Sequence, residues 1–514
     1  MAGPASRLPV PPPAYVFAAA SGLALAFAAA PFDLPVLAFA SAPFFQRAIE
    51  LRAGTSRAPW HGVRVGLVAG VAVHLVAFYW AVPLFTVNVH LAWPLAVLLA
   101  AALWIAQSLP FVVAGALADG LASLGIRPFA IVPIALVVAF SRAWMLFPFR
   151  PSSPLVELLP WVQLADVGGG PLLDLALGLS GCALLEGWRV RSRALVALGL
   201  GACLGPLAYG LPRLEAIREA SRHAPTTRVA VVQPSVLQGL KFDASRAAEQ
   251  LGALRRMTAE VERERPDFVV WPETSYPYML SRRARRDPSG RFGLRTTGEV
   301  HAPILFGTLA WGRGCDHRNS VAAMDSEGRI VGWADKVHPL PFSERIPLWE
   351  HLPFLHGFAP CPGYVTGQGA QVVAFEGRRI GVLNCYEDIL DAYVREVGAA
   401  RIDFLVNVTN DAWFLDTSEP HLHHMAARLR AVETRRELVR AVNTGVSGHI
   451  DATGARRIET ATFVPRTFVA EVRSLDVETV WVRHGDLLTP ALEGLLLALI
   501  GLAWTRRTGG TRRR

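Results

Sequence analysis

The chain has 514 residues, a formal net charge of +9 and a mean hydropathy of +0.32. It is too long for one ordinary domain and too apolar for a wholly soluble protein. Residues 1–212 contain a series of apolar runs, residues 225–480 have the pattern of a water-soluble domain, and residues 487–504 are apolar again. The excess positive charge lies mostly in loops between apolar runs and in the tail, so it requires no nucleic-acid partner.

Eight apolar runs are candidates for membrane spans, each of which needs about 20 largely apolar residues. They lie near residues 14–30, 31–47, 65–82, 92–118, 129–147, 170–187, 194–212 and 487–504. The first run has a weak basic region before it and no clear cleavage site, so we expect a retained span and not a signal peptide. The pattern predicts a membrane α-helical bundle of about eight spans.

Arginines flank these runs unevenly, and cytoplasmic loops are the ones that carry excess Arg and Lys. We therefore predict that two loops and the basic tail, residues 505–514, are cytoplasmic, with residues 225–480 on the opposite side. The arginines concerned are Arg47, Arg52, Arg57, Arg64, Arg189, Arg191, Arg193, Arg506, Arg507, Arg512, Arg513 and Arg514.

The water-soluble region alternates short β-branched runs with helical stretches, which predicts a layered α/β domain. Predicted strands lie at residues 228–232, 267–271, 304–308, 379–383 and 403–408, with a hairpin formed by 319–324 and 329–333. Predicted helices lie at 243–263, 388–398 and 420–439, and the polar stretch 281–300 is predicted to be an exposed loop.

Two residues with possible chemistry stand at strand ends. Glu273 follows Trp271-Pro272, where the proline ends the strand ladder, so its carboxylate would be partly desolvated and could deprotonate a thiol. A solvated or salt-bridged loop glutamate is the alternative. Cys385 follows a buried strand and precedes a predicted helix, where the helix N-terminus and nearby cations would lower the thiol pKa. A buried core cysteine is the alternative there, but polar neighbours argue against it.

Lysine is rare in this chain: Lys241 and Lys336 are the only two among 51 basic residues. Because arginine is used wherever a positive charge suffices, a retained lysine indicates a place that needs a compact ammonium. Lys336 lies between the glutamate and cysteine motifs and could stabilise an oxyanion. Together, Glu273, Lys336 and Cys385 indicate acyl transfer through a thioester.

Four other cysteines have structural interpretations. Cys182 and Cys203 lie in predicted spans and act as small apolar residues. Cys315 and Cys361 lie in the outward-facing domain, where they are either paired or free.

Two further polar segments lie in the C-terminal half of the chain. Residues 407–414, with Asn410 and Trp413, either line a pocket or form a hydrogen-bonded turn. His421, His423 and His424 have no cysteine or carboxylate at ligand spacing, so we interpret them as helix-start residues and expect no metal.

Three motifs resemble those of a known superfamily. Trp271-Pro272-Glu273, Asp335-Lys336 and Cys385-Tyr386-Glu387 are similar to the Glu, Lys and Cys signatures of the carbon–nitrogen hydrolase (nitrilase) superfamily. With residues 341–344, residues 410–414 and apolar runs on both sides, the chain resembles the apolipoprotein N-acyltransferase family over nearly its whole length.

The resemblance implies a nitrilase-like αββα sandwich on the periplasmic side of the inner membrane. It implies that Cys385 is the nucleophile, Glu273 the general base and Lys336 the oxyanion stabiliser. The residues implied to support them are Glu344, Tyr386 and Glu387. Two positions depart from the family: Ser343 replaces a glycine that precedes Glu344, and Phe242 replaces a tryptophan next to Lys241.

The implied reaction moves an acyl chain, most simply from phosphatidylethanolamine, through Cys385 to the α-amine of a diacylglyceryl-cysteine lipoprotein, without a cofactor. We expect a monomer. A membrane-tethered amidase that hydrolyses a small C–N substrate is the main alternative, and a non-catalytic lipid-binding scaffold is a second. Few ionisable residues lie in the spans, so a transporter is disfavoured. Arg142, near the end of a span, either meets a lipid phosphate or reaches for the interface.

Overall fold

The computed structural model describes residues 13–51, 60–288, 290–295, 300–354 and 361–511, and beyond residue 502 it describes the backbone alone. The predicted cytoplasmic Arg52 and Arg57, and the last three residues of the basic tail, lie outside the described residues. Most of residues 13–223 is helical. Helices α1 to α10 span Pro13–Ala28, Ala38–Glu50, His61–Ala77, Ala81–Pro83, Trp93–Gln107, Leu109–Ser123, Pro128–Arg142, Leu159–Val162, Ala165–Arg189 and Arg193–His223.

Glycines set how closely two of these helices pack. In α3, a Cβ added at Gly62 would lie 2.0 Å from the backbone oxygen of Gly115 in α6, and one at Gly66 would lie 2.2 Å from that of Phe111. The backbones of α3 and α6 therefore meet directly, as small residues allow in membrane helix pairs.

The eight predicted spans are confirmed only in part. Within the described residues, α9 and α10 are each long and apolar enough to cross a bilayer, and two bent helix pairs raise the number to four at most. The predicted span 92–118 falls in one of these pairs, because α5 and α6 meet at a 42° bend just before Pro110. Shorter apolar helices cover Pro13–Ala28, Pro128–Arg142 and Leu488–Leu502.

The rest of the described chain contains six further helices and two sheets. Helices α11 to α16 span Gln238–Lys241, Ala247–Val261, Asp391–Ala399, Glu419–Thr434, Val480–His484 and Leu488–Thr511. Strands β1 to β13 span Thr226–Gln233, Phe268–Trp271, Leu280–Ser281, Ile304–Trp311, His317–Met324, Ile330–Asp335, Val372–Phe375, Arg378–Asn384, Phe404–Thr409, Leu438–Val442, Gly448–Ile450, Arg456–Glu459 and Arg466–Arg473. One sheet has the order β13-β1-β2-β4-β5-β6, with β3 beside β4, and the other has the order β12-β11-β10-β9-β8-β7.

The two sheets pack face to face, with a helical layer on each outer face. Alternation along β1 separates the layers: Val229 and Val231 enter the core between the sheets, whereas Ala230 and Val232 face α12. Phe268 of the first sheet stacks on Phe404 of the second, with ring centroids 6.4 Å apart. Helices α13 and α14 cover the second sheet. This arrangement confirms the αββα sandwich.

Most predicted strands of this domain are confirmed, and the hairpin is formed by β5 and β6. The helix predicted at 420–439 is wrong at its end: α14 stops at Thr434, Arg435 adopts a left-handed conformation, and strand β10 begins at Leu438. The loop predicted at 281–300 contains the end of β3 and a short 3₁₀ turn, Gly290–Phe292, while residues 289 and 296–299 lie outside the described residues.

Helix α14 joins the sandwich to the N-terminal helices and is buried except at His421 and Ala426. Its Ala427 packs on the second sheet, whereas Met425 packs with the N-terminal helices. Just beyond the helix, the guanidinium of Arg435, fully buried, contacts the carboxylate of Asp166 in α9 at 2.8 Å. Apolar and ionic contacts thus attach the sandwich to the helical part.

Removing the ring at the centre of the sandwich should destabilise it strongly. We expect Phe268→Ala to cost about 3–5 kcal/mol of unfolding free energy, because the cavity cannot be filled by its neighbours. Phe292→Ala, at a ring with 38% exposure, should cost much less. Thermal unfolding of the full-length protein in detergent measures both, and equal losses would contradict the assignment of Phe268 to the central core.

Candidate active site

Glu273 lies just past the end of β2, in a turn pressed against β4. A Cβ added at Gly307 of β4 would lie 2.3 Å from the Pro272 oxygen and 2.6 Å from the Glu273 Cα. The amide of Tyr276 donates to the Gly307 oxygen at 3.1 Å, which closes the turn. Glycine at position 307 therefore lets the turn approach the sheet closely, and Glu273 itself is 5% exposed.

Lys336 follows β6 and lies between two carboxylates. Its Nζ is 3.2 Å from Glu273 Oε1 and 2.7 Å from Glu344 Oε2, and the residue is 4% exposed. Burial alone would lower the pKa of Lys336, but the carboxylates of Glu273 and Glu344 outweigh it and hold the pKa well above 10.5. The ammonium is therefore a fixed positive charge in a largely dry site.

Asn319 of β5 organises the same group and was missed by the sequence analysis. Its Nδ2 donates to Glu273 Oε1 at 2.7 Å and to Glu344 Oε1 at 2.8 Å. Its Oδ1 accepts from Asn384 at 3.0 Å, which links the first sheet to the end of β8 in the second. The sequence offered little signal, because Asn319 stands among other polar residues at the start of β5.

Cys385 comes immediately after β8 with a φ of +57°, a left-handed conformation that is uncommon for a residue other than glycine. It begins a five-residue 3₁₀ turn, Cys385–Ile389, and the helix predicted at 388–398 follows as α13, which begins three residues later than expected, at Asp391. Asn407 donates to the Cys385 carbonyl oxygen at 2.9 Å. Backbone strain of this kind persists where surrounding contacts hold it, and it often marks a functional site.

The expectation of a lowered thiol pKa is wrong for this structure. Burial raises the pKa of the Cys385 thiol well above 9.0, and the nearby carboxylate of Glu273 raises it further. The charge of Lys336 acts in the opposite direction but does not outweigh them. The thiol is therefore protonated at neutral pH, and it needs a base to become a nucleophile.

Glu387 holds the turn that carries Cys385. Its carboxylate accepts hydrogen bonds from the amides of Val337, His338 and Asn384, and it is 1% exposed. Because one of these donors follows Lys336 directly, Glu387 ties the lysine strand end to the cysteine turn. The ring of Tyr386 lies 5.8 Å from Lys336 Nζ. Residues 336 and 385–387 thus form one connected unit.

Comparison with known proteins agrees with this arrangement. The sequence model described as "Carbon-nitrogen hydrolase" matches residues 228–478, and the one described as "Apolipoprotein N-acyltransferase N-terminal domain" matches residues 21–183. The apolipoprotein N-acyltransferase of Geobacter metallireducens is 31% identical over 96% of this chain and 96% of its own. The apolipoprotein N-acyltransferase of Sinorhizobium fredii is 32% identical over 84% of this chain and 85% of its own. The chain belongs to the apolipoprotein N-acyltransferase family.

Similarity to solved structures is weaker. An amidase from Nesterenkonia sp. is 16% identical, covers 48% of this chain and 90% of its own, and has a TM-score of 0.36. The assignment to the apolipoprotein N-acyltransferase family rests on the full-length relatives instead.

The other predicted binding residues lie in different environments. Phe242 and Trp413 are 57% and 36% exposed, so both rings are accessible. Asn410 is buried, and its amide donates to Gln238 at 2.9 Å and accepts from Asn443 at 2.8 Å. Of the two alternatives for Asn410, the structure favours the hydrogen-bonded turn.

Arg142 is engaged elsewhere. It ends α7, and its guanidinium makes two hydrogen bonds to the carboxylate of Glu493 in α16, at 2.7 and 3.2 Å. The pair fixes the C-terminal helix against α7. In this conformation the guanidinium binds a protein carboxylate, and the structure gives no support to its assignment to a lipid phosphate.

The expectation that the histidines lack carboxylate partners is wrong for His423. Its Nε2 is 2.7 Å from Asp388, its Nδ1 is 3.2 Å from Asp411, and Glu419 lies one turn earlier in α14. Burial alone would lower the pKa of His423, but the aspartates raise it to about 10. Sequence spacing could have revealed Glu419, four residues before His423, but not Asp388 or Asp411, which lie on other segments.

Donor atoms of Asp411, Glu419 and His423 lie within 4.8 Å of one another, a spacing that could hold a metal ion. Both ring nitrogens of His423 are already occupied by carboxylates, and the Arg440 guanidinium contacts Asp388 at 2.9 Å. Protonated His423 and the Arg440 guanidinium balance the charges of Asp388 and Asp411, so the cluster fits an internal ion-pair network.

Cys315 and Cys361 form a disulfide, with Cα atoms 5.7 Å apart. It joins the loop between β4 and β5 to the segment that follows Glu344. In that segment the Tyr364 amide donates to the Glu344 oxygen and the Gly367 amide donates to the Lys336 oxygen. The disulfide therefore lies at the base of the loop that carries Glu344.

A cavity of about 640 Å³ lies elsewhere. Its walls include Arg218, Arg228, Glu437 and Glu471, and none of the residues around Cys385 lines it. Such charged walls do not suit an acyl chain.

Displacing the Glu273 turn should impair the site without unfolding the protein. We expect Gly307→Ala to slow acylation of Cys385 about 100-fold, because a shift of roughly 1 Å in a reacting group costs that much. Gly252→Ala on α12, whose Cβ would meet only the end of Arg256 at 3.4 Å, is the matched control and should leave the rate unchanged. Intact-mass kinetics measure both. Equal rates in the two variants would contradict this prediction, because they would show that the turn accommodates an added methyl group.

Proposed function

We propose that this protein is an apolipoprotein N-acyltransferase that moves an acyl chain from a phospholipid, through a thioester on Cys385, to the α-amine of a diacylglyceryl-cysteine lipoprotein. The observation that carries the proposal is the convergence of Glu273 and Lys336 next to Cys385, in a chain that matches N-acyltransferases along its full length. In this proposal, Glu344, Tyr386 and Glu387 support the reacting groups.

The first half-reaction loads the enzyme. The Glu273 carboxylate takes the thiol proton of Cys385, and the sulfur bonds to the carbonyl carbon of the sn-1 ester. Lys336 stabilises the tetrahedral oxyanion. The ester C–O bond then breaks, Glu273 returns its proton to the leaving alkoxide, and the products are the Cys385 thioester and a lysophospholipid. Because the Cys385 pKa is raised, the proton must leave during attack.

The second half-reaction unloads it. The free α-amine of the lipoprotein attacks the thioester carbonyl, and Glu273 accepts the proton that the nitrogen loses. The C–S bond breaks, the sulfur regains the proton from Glu273, and the products are the N-acylated lipoprotein and the free thiol. Such a sequence predicts ping-pong kinetics.

The helical part gives this chemistry its lipid substrates. Both substrates carry acyl chains, and each buried CH₂ group contributes roughly 0.8 kcal/mol. Phosphatidylethanolamine is the donor we propose. The turn Asp411–Phe414 contacts the helical part directly, because Asn88 donates to the Trp413 oxygen at 2.5 Å and Trp80 packs on Phe414. A site attached to the membrane helices in this way draws its lipid from the bilayer.

We propose further that the enzyme is a monomer in the bacterial inner membrane with its sandwich in the periplasm. The disulfide between Cys315 and Cys361 supports this orientation, because disulfides persist in oxidising compartments. The arginines of the loops, among them Arg189 and Arg191, support it through the positive-inside rule. The three shorter apolar helices would then raise the number of spans from four to seven at most.

A membrane-tethered amidase is less well supported. It would use the same three residues, but the full-length relatives are N-acyltransferases, and the N-terminal helices match an N-acyltransferase domain. The two functions differ in the fate of the thioester, which persists in water in a transferase and is hydrolysed in an amidase.

Incubation with phosphatidylethanolamine should leave an acyl group on Cys385. We expect intact-mass analysis of the detergent-purified protein to show a hydroxylamine-labile adduct that is absent from Cys385→Ala. Adding a diacylglyceryl-cysteine peptide should transfer the acyl group to the peptide amine. An untouched lipid with a folded protein would refute the proposal, and rapid loss of the adduct to water would favour the amidase.

Replacing Lys336 by arginine should nearly abolish loading although the charge is kept. We expect Lys336→Arg to slow thioester formation by about 100-fold or more, because the planar guanidinium cannot occupy the space of an ammonium between Glu273 and Glu344. The matched control is Arg329→Lys, at an exposed residue that directly precedes β6, and it should leave the rate of thioester formation unchanged. A wild-type rate in Lys336→Arg would show that any cation suffices.

A further inference from the structure

A short segment, residues 361–367 (the strap), lies across the candidate active site, and no step of the proposed mechanism uses it. The Tyr364 amide donates to the Glu344 carbonyl oxygen at 3.0 Å, and the Gly367 amide donates to the Lys336 carbonyl oxygen at 2.9 Å. The strap thus contacts the main chain of the proposed oxyanion stabiliser and of the carboxylate residue that pairs with it.

Two glycines allow this close approach. A Cβ added at Gly363, where φ is +115°, would lie 2.1 Å from the Glu344 oxygen and 2.8 Å from the Arg345 Cα. One added at Gly367 would lie 2.5 Å from the Asp335 oxygen. Because backbone meets backbone at both points, the position of the strap limits where Glu344 can lie.

The Glu344 side chain depends on that main chain for its contacts. Its Oε2 lies 2.7 Å from Lys336 Nζ, and its Oε1 accepts from Asn319 at 2.8 Å. If the strap moved, one of the two carboxylates that contact the Lys336 ammonium would move with it, and the other, Glu273, would remain. The ammonium would then be held from one side, and a displacement of roughly 1 Å is enough to slow a reaction.

A disulfide anchors the strap, which apolar packing does little to hold. Every residue from 361 to 367 is only partly buried. The bond between Cys315 and Cys361 ties the first residue of the strap to the connection between β4 and β5, and the Val365 amide donates to the His317 oxygen at 2.7 Å. Cys315 is exposed, so the bond lies at the surface of the domain. The disulfide thus joins the strap to the hairpin formed by β4 and β5.

We infer that the disulfide of the strap is a redox-sensitive clamp that keeps Glu344 in contact with Lys336. For its effect on the loading of Cys385, this inference rests on the proposed function. Cys315 and Cys361 are positioning residues, because they act through Glu344 and not on the reacting atoms. The rate of acyl loading should therefore follow the redox state of the disulfide.

Opening the clamp is a two-electron reduction. A phosphine attacks one sulfur, the S–S bond breaks, and the phosphorus supplies the two electrons. The two sulfurs take up the protons of a water molecule, whose oxygen ends on phosphorus, so the products are two thiols and a phosphine oxide. A dithiol achieves the same by exchange and becomes a disulfide itself. In the oxidising compartment proposed for the sandwich, the clamp stays closed.

The test uses the full-length protein in detergent, before and after reduction with tris(2-carboxyethyl)phosphine, which is removed before each assay. A phosphine is needed because a thiol would take the acyl group from the Cys385 thioester. Wild type is compared with Cys315→Ser, Cys361→Ser and the matched control Cys203→Ser, which removes a free cysteine of α10. Mass analysis of alkylated samples confirms that reduction is complete.

The first readout, hydrogen–deuterium exchange, needs no acyl donor. We expect reduction of wild type to speed exchange about tenfold in peptides that cover residues 340–346 and 361–367, because these amides open locally. Peptides that cover the central strand β9, residues 404–409, should exchange at an unchanged rate. Unchanged exchange at residues 340–346 would overturn the inference, and so would equal acceleration in β9, which would mean general unfolding.

The second readout is acylation of Cys385 by phosphatidylethanolamine. Reduction of wild type should slow acylation about 100-fold, because Lys336 loses one of its two fixed partners. Reoxidation in air should restore the rate, which general damage would not allow. Both serine variants of the disulfide should be slow before and after reduction, and the control should match wild type in both states. A full rate in completely reduced wild type would overturn the inference.

The two readouts separate this inference from the proposed function. If oxidised wild type forms no thioester, the proposed function fails, and hydrogen exchange still decides whether the disulfide holds the strap. Reduction of wild type carries the test if a serine variant does not fold.

Discussion

The buried charges around α14 are the constraint on which the other parts of the molecule depend. The helix lies between the second sheet and the membrane helices and is buried almost all round, so each of its charged groups needs a partner. Arg428 pairs with Glu157, and Arg435, just beyond the helix, pairs with Asp166. Both acidic partners belong to the helical part. Such pairs add little net stability, but a wrong docking would leave buried charges unpaired, so they specify one orientation.

The same helix also contacts two turns that surround the reacting groups. His423 contacts Asp388 in the turn that begins at Cys385 and Asp411 in the turn that contains Trp413. A change in how α14 docks would therefore move both turns together. Across the site, Asn319 and Asn384 join the two sheets by a hydrogen bond. The geometry around Cys385 is thus held from the membrane helices, through α14, and from the opposite sheet.

The sequence was most informative where strands end. Glu273, Lys336 and Cys385 lie just past the ends of β2, β6 and β8, and the packing of the two sheets brings these strand ends together. The αββα arrangement itself came from the resemblance, since alternation alone indicated only a layered α/β domain. Strand β10 was missed because the helical pattern of α14 continues into residues that are apolar enough for either structure.

The remaining features depend on tertiary packing that spacing does not record. Asn319 looked like an ordinary strand residue. The partners of His423 are brought together from three segments. The number of spans is confirmed only in part, because hydropathy counts apolar residues but detects neither a bend such as the one before Pro110 nor a helix that ends before it is long enough to cross a bilayer. The thiol pKa was misjudged because burial outweighs the neighbouring lysine.

The pairing of Arg435 with Asp166 has a consequence for how this family can change over time. Here Arg428 of the outer helix and Arg435 just beyond it pair with Glu157 and Asp166 of the helical part. Recombination that exchanged the sandwich alone between relatives would separate matched charges, so the two halves of the gene are expected to be inherited as one unit.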